Sequence, residues 1–225
     1  MSVLVVALDV PSAEEAERVV DELYELDLVF KIGLEALLSY RERIVAYCES
    51  RDVRCCIDAK LHDIPRTVAA AARQLVSPVV RAMTVHACGG VPMMRAAVES
   101  VAERAAELGS AVPAIFAVTL LTSLEAGSAK VARLASAARE AGCAGIVCSA
   151  NELADIKAEF GDELMTLVPG IRPQGSPSED QRRVATPATA VAAGADYIVV
   201  GRPVLRAANR RAAAQSILDQ MAAAL

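Results

Sequence analysis

Short apolar, β-branched runs recur along the chain, separated by longer stretches rich in Ala, Glu and Arg. The runs are VLVVALD from Val3, LVFKIG from Leu28, VRCCIDAK from Val53, AMTVHA from Ala82, AIFAVT from Ala114, GIVCSA from Gly145, LMTLVPG from Leu164 and YIVVGR from Tyr197. They are short for helices, and too continuously apolar for strands with one wet face, so they predict strands buried on both sides. The stretches between them carry helix-start signals: a capping box from Ser12 to Glu15, and Pro65 at the first position of the helix after the third run. Strands alternating with helices predict a parallel sheet. Eight repeats favour closure into a (β/α)8 TIM barrel of the α/β class over an open sheet.

The polar residues fall unevenly on this pattern. Nearly every run ends at its C-terminal side on a residue that a buried strand does not need: Asp9, Lys31, Asp58 with Lys60, His86, Thr119, Ser149, Gly170 with Arg172, and Gly201 with Arg202. In a barrel these ends converge on one rim, where barrel enzymes keep their chemistry. The segment PGIRPQGSPSEDQRR, residues 169–183, follows the seventh run and is rich in Pro, Gly and Ser. A loop there, beside the end of the eighth strand, is the usual barrel site for phosphate and suits a lid.

Length and composition narrow the classes. The 225 residues suffice for one sizeable core, with no linker to divide them, so residues 1–225 are expected to form a single domain. Hydrophobic residues at 54% and a net charge of −5 lack the basic stripe that nucleic-acid binding needs, so a small anionic ligand would be held by a few placed cations. The six cysteines show no CxxC spacing and only His62 and His86 could join them, which argues against a zinc cluster. They read as buried thiols of a reducing cytosol. The N-terminal MSVLVVALD has no basic segment and reaches Asp9 after a short apolar run, which supports neither a signal peptide nor a membrane span; a cytoplasmic protein is expected.

The stretch IDAKLHDIPRT, residues 57–67, concentrates charge where a core is expected. Asp58 and Lys60, two apart, share a face if the strand is regular, and Asp63 follows just beyond. A salt-bridged strand end is one reading. The surplus of charge favours another, because Lys31 and Asp9 on adjacent strands extend the array and multiply its desolvation cost, which functional sites tolerate. A lysine between two carboxylates stays protonated, making it a poor Schiff-base nucleophile. A fixed ammonium instead suits stabilising a carbanion and then giving it a proton, while an adjacent aspartate opposes a substrate carboxylate. Decarboxylation is the chemistry this array fits.

The motifs ALD at Asp9, KIG at Lys31, DAKLHDIPRT from Asp58, TLLTS ending at Ser123, PGIR at Arg172, DQRR with Gln181 and VVGRPV with Arg202 together resemble the orotidine 5'-monophosphate decarboxylases of the bacterial type. The resemblance spans essentially the whole chain. It implies that Lys60 delivers the proton to pyrimidine C6 and that Asp58 presses on the departing carboxylate. Asp63 would come from the other subunit of a homodimer with shared sites, with Ile64 and Thr67 beside it. By the same resemblance Lys31 and Asp9 touch the ribose and link into the catalytic array, and Thr122 reads the pyrimidine edge. Gln181, Arg202 and the backbone of Gly201 grip phosphate, and Arg172 is among the ligand contacts. No metal or organic cofactor is implied. Arg66 departs from the Asn or Thr of many relatives and is expected to face solvent, and His62 and His86 are read as structural. Two other functions fit parts of the pattern: a magnesium-dependent phosphosugar decarboxylase or aldolase, whose second strand commonly carries an acid where Lys31 stands here, and a barrel that only binds a phosphorylated ligand.

Overall fold

A computed structural model of the chain describes residues 2–120, 128–173 and 185–224. The eight apolar runs all form strands: β1 (Val3–Ala7), β2 (Leu28–Ile32), β3 (Cys55–Leu61), β4 (Val80–His86), β5 (Ala114–Val118), β6 (Gly145–Val147), β7 (Met165–Val168) and β8 (Tyr197–Val200). They pair in parallel in chain order, and β8 returns to β1, closing the barrel. Around it run α1 (Ala13–Leu23), α2 (Leu34–Ser39), α3 (Arg41–Ser50), α4 (Pro65–Gln74), α5 (Gly90–Leu108), α6 (Ser128–Glu140), α7 (Leu153–Phe160), α8 (Pro187–Ala192), α9 (Arg202–Leu205) and α10 (Arg210–Ala222). No helix among the described residues is long and apolar enough to cross a membrane.

The alternation of side chains along each strand builds two cores. Leu4, Val6 and Leu8 point outward into the layer between barrel and helices, whereas Val5 and Ala7 point into the barrel. Val29, Cys56, Phe116, Val147, Leu167 and Val199 fill that interior from the other strands. Phe116 packs edge-on against Tyr197 with centroids 5.4 Å apart. Its bulk is accommodated because β6 begins with Gly145, where a Cβ would fall 2.7 Å from the Phe116 ring and 2.3 Å from the Met165 carbonyl oxygen. The interior is therefore a packed plug that carries the rim above it.

Two local expectations change. Ser12 Oγ accepts from the Glu15 N–H at 3.3 Å, but the reciprocal half of the capping box is replaced: Glu15 Oε1 accepts from Arg210 Nη2, also at 3.3 Å. A guanidinium offers a carboxylate a charge-assisted bond that a backbone N–H does not. A two-way box forms instead between Thr186 and Thr189 at the start of α8. Among the cysteines, Cys48, Cys55, Cys56, Cys143 and Cys148 are buried as expected, but Cys88 is exposed, because it sits in the short turn between β4 and α5.

Candidate active site at the C-terminal rim

The inward-facing rows of β1 to β4 carry at their C-terminal ends Asp9, Lys31, Asp58 with Lys60, and Thr84 followed by His86. The rim positions are thus set by the same alternation that fills the barrel below. Asp58 is the hub: its Oδ2 lies 2.7 Å from Lys60 Nζ and 3.3 Å from Lys31 Nζ, and Lys31 Nζ also donates to Asp9 Oδ1 at 3.3 Å. The second carboxylate oxygen, Oδ1, accepts from the Thr84 hydroxyl at 2.9 Å. Burial alone would raise the Asp58 carboxyl, but the charges of Lys31 and Lys60 and the hydrogen bonds from Lys60 and Thr84 outweigh it and hold it below the usual carboxylate range. For Lys31 burial pulls down, and Asp58 and Asp9 overcome it and raise the ammonium above its ordinary value.

The backbone of β3 is not that of a regular strand here. Ile57 is level with Met83 of β4, but the next paired residue is Leu61, level with Val85, so β3 spends two more residues than its neighbour over this interval. The excess is even, which returns Leu61 to the outward face and leaves Asp58 and Lys60 turned inward. Lys60 takes a left-handed backbone with φ of 48°, a conformation costing a non-glycine residue about 1–3 kcal/mol. Its N–H, removed from the ladder, donates to Thr84 Oγ1 at 2.9 Å.

Gly33 closes the array from the β2 side. A Cβ at that position would lie 2.9 Å from Asp9 Oδ1 and 3.0 Å from Lys31 Nζ, so the glycine is required by the close approach of the ion pair. On the opposite wall the rim is apolar. Lys31, Asp58 and Lys60 share a cavity of about 180 Å³ with Val118, Leu120, Val147, Leu167, Pro169 and Val199. A larger groove of about 850 Å³ lies outside the barrel between α2, α3 and β3, lined by Leu34, Leu38, Ala59 and Leu61 among others, but it contains none of the rim charges. Charge on one side and apolar surface on the other suit a flat, partly polar ring whose reacting edge carries an anion.

The other expected site residues divide into three groups. Gly201 lies beside the array, since a Cβ there would be 3.9 Å from Asp9 Oδ2, and Arg202 follows as the first residue of α9. Arg172 is buried just past the end of β7, its N–H bonded to the Ala185 carbonyl at 2.9 Å. Asp63, Ile64 and Thr67 are exposed at the start of α4, and the Asp63 carboxylate accepts from the N–H of Ile64 at 2.6 Å. Among the described residues the lysine flanked by two carboxylates is therefore Lys31, between Asp9 and Asp58, while Lys60 pairs with Asp58 alone. Asp63 lies just before the Ile64 cap of α4 and is exposed. Thr122, Gln181 and most of the 169–183 segment lie outside the described residues.

Arg66 is exposed, as expected. His62 and His86 stack loosely with ring centroids 5.5 Å apart, and burial, then the charges of His62 and Lys60, hold the His86 imidazole below its ordinary value. A neutral His86 is a weak acid at neutral pH, which fits a structural role. Sequence reasoning passed over Thr84 and Gly33. The signal for Thr84 was a hydroxyl inside an apolar run, two residues before His86 and hence on the same inward face.

Comparison with known proteins places this geometry in a family. The model of the orotidine 5'-phosphate decarboxylase / HUMPS family matches residues 2–217. The chain is 43% identical to the orotidine 5'-phosphate decarboxylase of Moorella thermoacetica, over 97% of this chain and 91% of that protein, and 42% identical to that of Thermobifida fusca, over 97% and 95%. Among solved structures, orotidine 5'-phosphate decarboxylase from Lactobacillus acidophilus superposes with a TM-score of 0.87 at 29% identity, covering 98% of this chain and 99% of that one. With the family model matched almost end to end and curated relatives above 40% identity, the chain belongs to the orotidine 5'-phosphate decarboxylase / HUMPS family.

Proposed function

We infer that this protein is a decarboxylase converting orotidine 5'-monophosphate to uridine 5'-monophosphate in pyrimidine biosynthesis. The observation that carries the reading is the Asp58 carboxylate shared by two ammonium groups, 2.7 and 3.3 Å away, facing an apolar wall in a chain of this family. With the pyrimidine against that wall, its C6 carboxylate meets Asp58 and its C6 carbon meets Lys60. The bond from C6 to the carboxylate breaks, carbon dioxide leaves, and the electron pair remains on C6 beside the Lys60 ammonium. Lys60 then gives C6 a proton and recovers one from water. Asp9 and Lys31 are assigned to the ribose, Thr122 to the pyrimidine edge, and Gln181, Gly201, Arg202 and Arg172 to the phosphate end.

The direct test is the loss of orotidine monophosphate absorbance with purified, metal-free protein. Turnover should survive a chelator, since the proposed chemistry uses no metal or organic cofactor. Activity that disappears on chelation and returns with magnesium would favour the phosphosugar chemistry instead, although Lys31 occupies the position where that chemistry commonly places an acid.

Two further outcomes follow from the site. Arg202→Ala should raise KM for the nucleotide by about 10- to 100-fold, the worth of a hydrogen bond to a charged group, yet leave the weak turnover of the bare nucleoside nearly unchanged. Equal losses on both substrates would remove Arg202 from the phosphate site. Gly33→Ala should lower kcat/KM by about tenfold or more, a displacement worth about 1.4 kcal/mol, because its methyl group must push Asp9 off Lys31. The melting temperature should barely move, since Asp9 is partly solvated; an unaffected kcat/KM would mean the ion pair is dispensable.

The working unit is proposed to be a homodimer with shared sites. Supporting this, Ile64 beside Asp63 is 65% exposed, and Leu34 and Leu38 of α2 are 51% and 87% exposed, apolar surface that a partner would cover. The reading takes residues 1–225 as one domain, because the first and last strands pair. It places the protein in the cytoplasm, where its six free thiols remain reduced.

A further inference from the structure

We propose that Thr84 is a positioning residue for the decarboxylation, one hydroxyl that sets both the Lys60 backbone and the Asp58 carboxylate. This rests on the site assignment above. Thr84 is 1% exposed, on the inward face of β4 opposite the irregular part of β3. A hydroxyl has one proton and two lone pairs. Since Asp58 as a carboxylate can only accept, the Thr84 proton must go to Asp58 Oδ1, at 2.9 Å, which leaves the oxygen to accept from the Lys60 N–H, also at 2.9 Å. The direction of the relay is thereby fixed: Lys60 N–H to Thr84, Thr84 O–H to Asp58.

Each end of this relay has a consequence for the reacting groups. At Lys60 the hydroxyl is the partner of an N–H that the distorted strand has taken out of its ladder, so it holds the left-handed turn from which the side chain rises to the rim. At Asp58 it occupies Oδ1, which leaves Oδ2 as the oxygen that meets both ammonium groups. Without the hydroxyl, a part-buried N–H loses its partner and the carboxylate is free to rotate about its last bond, so the spacing of Lys60 and Asp58 against the substrate loosens. A valine of the same branched shape fills the space and satisfies neither end.

The test compares Thr84→Val with Thr84→Ser, each assayed for kcat, KM and pH profile. Thr84→Val should lower kcat by about 10- to 100-fold, the range expected for one hydrogen bond to a charged group, with KM nearly unchanged because phosphate binds elsewhere. Thr84→Ser should recover most of the lost turnover. The acid limb of kcat should also move to higher pH in the valine variant, since Asp58 loses a donor to its charged form. Other groups facing Asp58 are common to both variants: Lys31 from β2, Lys60 and the Cys56 thiol, pushed up to about 12, from β3, and His86 from β4. Wild-type kcat and acid limb in Thr84→Val would overturn the proposal, as would a serine variant as damaged as the valine one. Should Thr84→Val fail to fold, Thr84→Ala and Thr84→Ser make the same comparison with equal methyl loss, and equal kcat in those two overturns it. If the wild type does not decarboxylate orotidine monophosphate, the functional reading fails; if it does and the hydroxyl is immaterial, only the role of Thr84 fails.

Discussion

Lys60→Ala should bind a nucleotide monophosphate about as well as the parent protein and lose decarboxylation by at least about a thousandfold. The lower bound comes from charge alone. At about 4 Å and an effective dielectric of about 20, one unit pair is worth roughly 4 kcal/mol, and each 1.4 kcal/mol is a factor of ten in rate. The proton donor is lost as well, so the deficit should exceed that bound. Affinity survives because the phosphate end, assigned to Gly201 and Arg202 at the end of β8, is untouched, and because Lys31 still pairs with Asp58 at 3.3 Å, so the carboxylate is not left without a counter-charge. Calorimetric titration with uridine monophosphate and an absorbance assay at high enzyme concentration would measure the two quantities separately. A variant that binds and still turns over within tenfold of the parent would show that Lys60 is not the group that meets C6.

The size of that effect also limits what any single group contributes. Hard decarboxylations need a barrier lowered by roughly 20 kcal/mol, several times the worth of one charge pair. Asp58 pressing on the substrate carboxylate cannot supply it. The structure instead shows preorganisation: a carboxylate held by two ammonium groups and a hydroxyl, on strand ends fixed by a packed interior, whose orientation needs little rearrangement during reaction. On the proposed site assignment, binding energy gathered at the phosphate would be used to force the carboxylate against Asp58.

How much of this could be read from the chain follows from which interactions are local. The eight strands were legible because continuous apolar runs have few other uses: each strand overlaps one of the eight runs and six lie wholly within theirs, while β3 runs on by one residue to Leu61 and β4 begins two residues early at Val80. The rim followed from parallel topology, which sends every C-terminal strand end to one side. The half-formed box at Ser12 was not legible, because the competitor for Glu15 is Arg210, 195 positions away. Nor was the left-handed Lys60: nothing in a lysine signals positive φ, and the strain is sustained by Thr84 on another strand. Asp63 shows the limit of spacing taken alone: its separation from Lys60 suggests one cluster, only the family resemblance assigns it to a second subunit, and within this chain the carboxylate is exposed and accepts from the Ile64 N–H at the start of α4.

Mixing an inactive Lys60→Ala protein with an inactive Asp63→Ala protein should restore activity, to about one quarter of the parent value, if each site takes Lys60 from one subunit and Asp63 from the other. The figure follows from counting. Random exchange at equal amounts makes about half of all dimers mixed, and a two-fold dimer has two sites related by symmetry. In a mixed dimer one site combines both substitutions and the other combines neither, so about half the sites in half the dimers are native. The exposure of Asp63 and of Ile64 beside it is what makes this arrangement possible, because an exposed aspartate is available to a partner's site. Activity should grow with the rate of subunit exchange and vanish if the parents are cross-linked as homodimers before mixing. Exchange demonstrated by mass labelling with no recovered turnover would mean that each barrel completes its own site, and the role of Asp63 would then have to be sought in the loop that carries it.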